Sequence, residues 1–433
     1  MKKSIATILA LLLMALNVQS QRVLPMTDAL ALALENNYGV KISGNNLQIA
    51  RNNNTSGNAG YLPTLTVNGN YSGTLNTSRQ QYYDGRLREA TNAASNSVST
   101  GAALRWTLFD GFGMFIADKQ LDQLEEMGAA SLRDQLEATA ASVVNTYYSA
   151  VQQAQRIKVL TEALRLGHEL KTLARRRMEL GMGSELDYLK AMADLNTDSA
   201  TLLKQRASHA ATLTMLNTLM GTHATDRYIL SDSIVLDRVL TYDELTGPLN
   251  QNTTLQLAAL QKEVARYAAR MTRAVQYPQL DFTAGYNYTK ATSAIGLIES
   301  NRNYGPSAGL SLSYTLFDGF KNRQRIRNAD LASQNADLEW QQTRQALEAT
   351  LYTLFTNYET HRLLMALQGE NLAVTRSNLA IALESYRLGR MSGIELRQYQ
   401  LQQIEANDNL LLTLYELKVV ETELLRLTGR IVQ

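Results

Sequence analysis

The chain has 433 residues and carries 42 Lys and Arg against 40 Asp and Glu, so its formal net charge at pH 7 is only +2. A charge balance this close to neutral gives no electrostatic case for a nucleic-acid partner. The sequence contains no cysteine, which excludes a disulfide framework, thiolate metal sites and a lipid-modified N-terminal cysteine.

The N-terminal segment has the pattern of a secretory signal peptide. Lys2 and Lys3 precede an apolar run over residues 5–16, and small residues stand at the cleavage positions before Gln21. We therefore predict that residues 1–20 are removed on export, which makes the counts of acidic and basic residues equal. No later segment offers the roughly 18 consecutive apolar residues that a spanning helix needs. If the protein enters a membrane, it is expected to do so with strands.

The remainder of the chain is an internal duplication of one long unit. Leu108-Phe109-Asp110-Gly111-Phe112 returns 208 residues later as Leu316–Phe320, and the downstream glycine turns keep that offset. Upstream of the pentapeptide the offset is 215, so the first copy has seven additional residues there. The duplication predicts two repeats of one architecture, residues 21–225 and 248–433, joined by a linker over residues 226–247.

Each copy opens with a helix that ends before a proline. Widely spaced apolar residues predict the first helix over about residues 26–58. The asparagine-rich stretch 51–57 is a poor helix former, so a frayed or bent end is expected there. Pro63 and Pro278 then stop the two helices.

Two strands joined by a polar tip follow each proline. Apolar and small polar residues alternate over about residues 62–109 and 278–317, which is the two-residue period of strands with one apolar face. The tips are predicted at about residues 74–96 and 290–305. These hairpins have about the length that crosses an outer membrane.

The strand faces carry information about their surroundings. Alternation alone leaves a soluble sandwich and a lipid-facing barrel open. Three details favour lipid: the polar faces are uncharged apart from Asp281 and Arg105, Trp106 and Tyr314 align as an aromatic girdle would, and the tips are long and hydrophilic. Four strands cannot close a barrel, so the chain is expected to oligomerise and thereby hide its strand edges.

The same strand-to-helix joint follows each hairpin. Asp110 and Asp318 are placed to cap the next helix, and Gly111 and Gly319 relax the turn. Because aspartate caps are common, we favour this structural role over a catalytic use of the two aspartates.

Long helices occupy the rest of each copy. Residues 114–180 and 322–388 contain no proline and are rich in Ala, Leu, Gln, Glu and Arg. Helices of that length are rods of about 100 Å, and they are expected to pack against one another like a coiled coil. Each rod turns back at a glycine-containing joint, where Ser184-x-x-Asp187 and Ser392-x-x-Glu395 are capping boxes that begin the returning helices.

An exported chain with two copies of helix, hairpin, long helix, turn and helix resembles the TolC family of outer-membrane efflux proteins over essentially its whole mature length. The most specific points are Leu-Phe-Asp-Gly-Phe after each hairpin, the proline that opens each hairpin, and the turn from Tyr386 to Glu395. Asn37-Tyr38 departs from the Asn-Pro often found early in the family. The resemblance implies an α+β membrane protein, a homotrimer whose three times four strands make a 12-stranded barrel in outer-membrane lipid and whose rods make a tunnel across the periplasm.

The resemblance also implies a gate at the periplasmic mouth. Asp187 and Glu395 match acidic positions that line this mouth, and Tyr386 matches a position that helps to hold it closed. The family's basic partner is Met391 here, with Arg390 beside it. A gating role and a plain capping role are compatible for the two acids, and both stay open.

The two turns match the surface on which the family meets a periplasmic adaptor protein. The residues concerned are Gly181, Met182, Gly183, Ser184, Gly389, Met391, Ser392 and Gly393. A tight helix reversal accounts for the glycines equally well, so adaptor contact is a hypothesis that exposed turns without catalytic purpose would suit.

The function we predict is a passive exit duct of a tripartite efflux or secretion system. A periplasmic adaptor and an inner-membrane transporter, driven by protons or by ATP, would deliver the cargo. The sequence leaves open whether small drugs, metals or secreted proteins are exported.

Other function classes are less consistent with the sequence. An exported periplasmic coiled-coil scaffold without a pore is the main alternative, but it leaves four alternating strands with aligned aromatics unexplained. A porin acting alone would not need the rods. We do not expect an enzyme or a bound cofactor, because the four histidines lack ligand spacing and no nucleotide-binding or serine-hydrolase motif is present.

Overall fold

The computed structural model describes residues 22–231, 233–236 and 239–431. The predicted signal peptide, residues 1–20, lies outside the described residues. Among the described residues, no helix is both long enough and apolar enough to cross a membrane.

The first copy has the predicted order of helix, hairpin, long helix and returning helix. Its elements are β1 (Arg22–Leu24), α1 (Met26–Asn36), α2 (Tyr38–Asn53), β2 (Thr64–Gln81), β3 (Leu87–Asp110), α3 (Gly113–Glu179) and α4 (Glu185–Met220).

The second copy repeats this order after a short connecting region. Its elements are β4 (Tyr228–Leu230), α5 (Tyr242–Thr246), a 3-10 turn (Gly247–Gln251), α6 (Thr253–Ala274), β5 (Gln279–Ser293), β6 (Ser300–Ser313), α7 (Lys321–Arg387) and α8 (Gly393–Leu427). The fold class predicted from the sequence, two tandem repeats with long helices and four main strands, is confirmed.

The chain folds into two compact units, and each unit takes segments from both copies. One unit comprises the described residues within 22–45, 131–256 and 343–431. The other comprises residues 46–130 and 257–342. The compact units therefore cut across the sequence repeats, because each repeat contributes both to the hairpin-bearing unit and to the helical unit.

The hairpin-bearing unit contains a four-stranded antiparallel sheet with the strand order β2-β3-β5-β6. The individual strands are longer and the hairpin tips shorter than predicted. The tip connections are residues 82–86 and 294–299, not 74–96 and 290–305. Backbone pairing continues across small polar residues after the apolar alternation fades, and the β2–β3 ladder absorbs a bulge between Asn76 and Ser78.

Two element boundaries also differ from expectation. The first helix does not run to residue 58: it is interrupted at Asn37 and ends at Asn53. The interruption is a new helix start, because Oδ1 of Asn37 accepts from the backbone N–H of Gly39 at 2.8 Å. In the second copy β6 ends at Ser313, so the Leu316 pentapeptide follows the strand, whereas in the first copy β3 continues to Asp110.

The helical unit is built around buried apolar clusters and buried tyrosine hydroxyls. Tyr147 on α3 is fully buried, and its hydroxyl donates to the Leu24 carbonyl at 2.8 Å while accepting from the Ser231 N–H at 3.1 Å. These bonds fix the small parallel pair β1 and β4 against α3. In the second repeat, the hydroxyl of Tyr358 on α7 accepts from the Leu240 N–H at 3.2 Å. Both tyrosines thus tie connecting backbone to a long helix.

Candidate functional site

The sheet has one apolar face, which the strand register defines. Directly paired residues share a face. The apolar rows, from the helix-proximal end toward the tips, are Leu280 and Leu312; Trp106, Phe282 and Leu310; Leu65, Leu104, Ala284 and Ala308; Val67, Ala102, Tyr286 and Pro306; and Gly69, Thr100, Tyr288 and Tyr304. Within a single chain this face is uncovered: Val67 is 77% exposed and Leu312 is 70% exposed. A continuous apolar face of this extent needs lipid or protein to cover it.

The opposite face is polar and nearly free of charge. Its rows include Thr66, Ala103, Gly285 and Ser307; Asn68, Gly101, Asn287 and Gly305; and Asn70, Ser99, Thr289 and Asn303. A shallow cavity of about 580 Å³ lies over this face beside Arg105. Asp281 on the same face accepts from the Thr107 hydroxyl at 2.7 Å. A sheet that is apolar on one side and polar on the other has the pattern of a channel wall.

Aromatic residues border the apolar face. The Trp106 indole N–H donates to the Tyr61 carbonyl at 2.9 Å at the helix-proximal end. Tyr314, predicted as its girdle partner, lies one residue beyond the end of β6 and is exposed. At the other end Tyr288 and Tyr304 pair directly and stack with ring centroids 6.5 Å apart. The girdle role of Trp106 and Tyr314 stays a prediction, and the tyrosine row is a border that sequence reasoning missed.

The height of the apolar face can be judged along β6. Eight residue steps separate Leu312 from Tyr304, which is about 27 Å along the strand at roughly 3.4 Å per residue. A strand tilt of about 40° reduces this to about 21 Å, near the band of about 25 Å that outer-membrane strands expose to lipid.

The two helical turns have the same construction, as predicted. Ser184 accepts from the Asp187 N–H at 3.1 Å and Ser392 accepts from the Glu395 N–H at 3.3 Å. In each turn the acid accepts in return from the serine N–H, so both capping boxes are confirmed. The turn glycine is left-handed in both, with φ of 69° at Gly181 and 75° at Gly389.

The proposed adaptor-contact residues lie on exposed surface at these turns. Met182 is 76% exposed, and the other turn residues from 181 to 184 are exposed as well. In the second turn Gly389, Ser392 and Gly393 are exposed, whereas Met391 is half-buried against the cluster around Tyr386. Exposure is compatible with a partner, and the contact itself stays a prediction.

The predicted gate residues do not form one lock in the isolated chain. Asp187 and Glu395 are exposed, and their carboxylates are engaged in the capping boxes. Hydrogen bonds from the Ser392 backbone and side chain hold the pKa of Glu395 below its ordinary value. Arg390 is exposed, and no carboxylate of the described residues lies within 4.0 Å of its guanidinium.

Tyr386 contacts Arg177, and not the predicted gate residue Arg390. It is buried at the end of α7, and the Arg177 guanidinium lies over its ring, 4.8 Å from the centroid. Nη2 of Arg177 also donates to the Tyr386 carbonyl at 2.8 Å and to the Arg387 carbonyl at 3.2 Å. Arg177 thus caps the C-terminal end of α7 and joins it to α3, a role to which a cation at a helix C-terminus is suited.

A second inter-helix link joins the two returning helices. Arg397 on α8 donates from both Nη atoms to Asp198 on α4, at 2.7 and 2.9 Å, and Asp194 lies 3.7 Å from its Nε. The side chains of Arg397 and Asp198 are only 16% and 10% exposed. Burial disfavours the charged arginine, but the bond to Asp198 and the charges of Asp198 and Asp194 outweigh it and raise the pKa of Arg397.

This link lies in a groove of about 740 Å³ between α4 and α8. The groove also contacts Asp187, Tyr386 and Lys190, so predicted gate residues and the unpredicted Arg397–Asp198 pair line one space. Asp194 and Asp198 are spaced i, i+4 on α4, which places both on one helix face. That spacing was readable in the sequence, whereas the arginine that pairs with them comes from 199 positions away and was not.

The strand-to-helix joints are confirmed at their glycines. Gly111 and Gly319 have φ of 72° and 70°, and the next residue in each, a phenylalanine, is also left-handed. Asp318 caps α7, since its Oδ2 accepts from the Asn322 N–H at 2.7 Å. Asp110 does not repeat this within the described residues: it is the last residue of β3, and its Oδ1 is buried without a hydrogen-bond partner. The predicted cap is therefore wrong for Asp110, because the strand extends through it.

Comparison with known proteins agrees with this geometry. Residues 29–222 and 248–430 match the sequence model of a family described as outer membrane efflux protein. Protein CyaE of Bordetella pertussis is 24% identical over 286 residues, which are 64% of this chain and 59% of CyaE, so the chain spans under two thirds of that relative. The proteases secretion protein PrtF of Dickeya chrysanthemi is 23% identical over 400 residues, 89% of this chain and 82% of PrtF. The outer-membrane channel OprN has the same fold, with a TM-score of 0.77 and 20% identity over 93% of this chain and 89% of OprN.

Proposed function

Because this chain belongs to the outer membrane efflux protein family, we propose that it forms the exit duct of a tripartite export system. Three copies enclose a channel in the outer membrane, with the long helices in the periplasm. The duct conducts cargo passively, and a transporter in the inner membrane supplies the energy. The observation that carries the proposal is the sheet with one apolar and one polar face.

The sheet edges support a trimer. β2 and β6 are the outer strands of the four-stranded sheet, and each has one side without a partner among the residues that the structure describes. Exposed edges of this length are normally paired or covered. Three sheets joined edge to edge give 12 strands, enough to close a barrel with an open lumen, whereas four strands are too few.

Single cysteines test which face meets lipid. The chain contains no cysteine, so Leu310→Cys on the apolar face and Ser307→Cys on the polar face each introduce one thiol. In trimers reconstituted into vesicles, a membrane-impermeant maleimide should label the Ser307 variant and leave the Leu310 variant largely unlabelled. A periplasmic scaffold without a pore predicts equal labelling of both thiols and no flotation with vesicles, which would overturn the duct.

The exposed turns are the proposed contact with a periplasmic adaptor. Photocrosslinking from position 392 in intact cells tests this, with a crosslinker at Glu89 in the hairpin as the matched control site. We expect an adaptor to be captured from position 392 and not from position 89. Capture from neither position, with the trimer intact, would contradict the tripartite arrangement.

The class of cargo is a separate proposal. The relative matched over most of its length, PrtF, is named for protease secretion, and this favours a polypeptide cargo with an ATP-driven transporter. Small-molecule efflux with a proton-driven pump is the second candidate, since the family whose sequence model the chain matches is described as outer membrane efflux protein. The transporter recovered with the adaptor in the crosslinking experiment discriminates between the two.

We assign the gate of the duct to the turn-proximal ends of the four long helices α3, α4, α7 and α8. The Arg397–Asp198 pair and the Arg177–Tyr386 contact hold neighbouring helices together in the closed duct. Asp187 and Glu395 supply negative charge at the mouth, where clustered carboxylates favour cations. Arg390, solvent-exposed in the single chain, contributes to the charge of the mouth and not to the lock.

A further inference from the structure

Two cations stand directly opposite each other on the apolar face of the sheet. Lys290 on β5 pairs with Arg302 on β6, in a row that continues through Val98 to Tyr71. No register shift separates this row from the row of Tyr288 and Tyr304, so the cations share the face of the tyrosines. Both side chains are exposed.

Neither cation forms an ion pair with the part of the chain that the structure describes. Among the described residues no carboxylate lies within 4.0 Å of either cation, although other exposed arginines of the hairpins, Arg79 and Arg86, each pair with an acid. Like charges directly opposite across a strand pair lie about 5 Å apart at their Cβ atoms and destabilise a sheet. An anion bound between them would remove that repulsion.

The position of the row indicates what kind of anion would bind there. On β5 and β6 the apolar residues end at the stacked pair Tyr288 and Tyr304, and the two cations come one row beyond these rings on the side of the hairpin tips. Tyrosine rings concentrate at the level of lipid headgroups. Long basic side chains reach that level from an apolar surface.

We propose that Lys290 and Arg302 bind the phosphate of an anionic lipid headgroup in the outer leaflet of the membrane. The planar guanidinium of Arg302 donates two hydrogen bonds to phosphate oxygens, and the Lys290 ammonium supplies a mobile point charge. Tyr288 and Tyr304 pack against the glycerol or sugar region below the phosphate. A trimer carries three such sites.

The site rests on the proposed function, since it requires the apolar face to lie in lipid. The test therefore begins with flotation: wild type and variants should all float with vesicles of phosphatidylcholine. Failure of the wild type to float would count against the duct, whereas the lipid site is judged only on proteins that insert.

The decisive measurement is headgroup preference. Trimers are titrated in detergent with phosphatidylglycerol or phosphatidylcholine, and the lipids that stay bound are counted by native mass spectrometry. Wild type should prefer the anionic lipid, and Lys290→Gln with Arg302→Gln should lower that preference about tenfold or more, since each cation near an anionic surface contributes roughly a factor of five. The swapped pair Lys290→Arg with Arg302→Lys should keep the preference.

The matched control removes the same number of charges elsewhere on the hairpins. Arg79→Gln with Arg86→Gln should leave the preference within about twofold of wild type, because those cations are paired with acids. An equal loss in this control, or no loss in the Lys290 and Arg302 variant, overturns the site. Competition by millimolar inorganic phosphate also overturns the lipid assignment, since it would mean that free phosphate is the ligand.

Discussion

The side chain of Asn252 donates from Nδ2 to the carbonyl of Leu427, at 3.0 Å, across 175 positions of the chain. Its Oδ1 accepts from the Leu255 N–H at 3.1 Å and so caps helix α6. The first copy repeats the arrangement: Asn37 donates to the Leu219 carbonyl at 2.9 Å and caps α2. In each copy one asparagine starts a helix and satisfies the free carbonyl at the end of the returning helix.

Replacing Asn252 by Ala should therefore destabilise the protein. The residue is 4% exposed, and the substitution leaves both the Leu427 carbonyl and the start of α6 unsatisfied. We expect a loss of about 2 kcal/mol in the free energy of unfolding, measured by denaturant unfolding of the trimer. Asn37→Ala, at the less buried copy, is the matched variant and should lose less. Equal losses would contradict the dependence on burial.

Breaking the Arg397–Asp198 pair should open the gate. Arg397→Gln leaves a nearly buried carboxylate without its cation, and the loss of a charged hydrogen bond of this kind amounts to about 2 kcal/mol. If the pair exists only in the closed state, the ratio of open to closed channels rises roughly 30-fold. Single-channel recording in planar bilayers measures the open fraction.

The control for this prediction lines the same groove. Lys190 is exposed and has no carboxylate within 4.0 Å among the described residues, so Lys190→Gln should leave the open fraction near that of wild type. Asp198→Asn combined with Arg397→Gln should add little to either single change if the two act as a pair. Additive effects, or an unchanged open fraction in Arg397→Gln, would remove the pair from the gate.

Amide substitutions of the capping-box acids, Asp187 and Glu395, separate the effect of their negative charge from their role in capping the helices. Asp187→Asn with Glu395→Gln removes six negative charges from a trimer, while an amide can still accept from the serine N–H. We expect the preference for K⁺ over Cl⁻ to fall several-fold with little loss of stability, as read from reversal potentials in asymmetric salt. An unchanged reversal potential would mean that the two acids only cap their helices.

Acid pH should weaken the second turn through Glu395. Its folded pKa lies below the ordinary value of 4.5 because the Ser392 backbone and hydroxyl donate to the carboxylate. A carboxyl with a depressed folded pKa contributes its stability above the unfolded value and loses it as pH falls through the folded value. Wild type should therefore lose more thermal stability between pH 5 and pH 3 than Glu395→Gln does. Parallel pH profiles for the two proteins would refute this.

The sequence predicted features that depend on local pattern and missed those that depend on distant pairing. The capping boxes at Ser184 and Ser392 follow from four consecutive residues, and the repeat itself reveals the architecture. The strand ends were harder, since ladder bonds continue through serine, threonine and asparagine without an apolar period. Arg177 and Arg397 could not be placed, because their partners Tyr386 and Asp198 lie about 200 positions away along the chain.

The glycines of the two pentapeptides, Gly111 and Gly319, give a further prediction in which the second copy serves as the control for the first. Both are left-handed, so alanine at either position carries a backbone penalty of about 1 kcal/mol. A Cβ on Gly111 would also lie 2.2 Å from the Ala274 carbonyl oxygen and 2.8 Å from Cβ of Tyr277, whereas a Cβ on Gly319 would meet nothing within 4 Å. Because the nearest atom to this Cβ belongs to the backbone of Ala274, accommodating it would require the end of α6 to move away from the start of α3.

Gly111→Ala should accordingly destabilise the trimer by several kcal/mol and lower the yield of inserted protein, while Gly319→Ala loses only about the backbone penalty. Heat dissociation of the trimer and denaturant unfolding measure the two variants side by side. Because the pentapeptide is the same in both copies and both glycines are left-handed, the backbone penalty is shared and an additional loss in Gly111→Ala reports the close approach to Ala274. Equal stability of the two variants would mean that the backbone near Gly111 moves to accommodate the added Cβ. The close approach to Ala274 would then contribute nothing measurable to the free energy of unfolding.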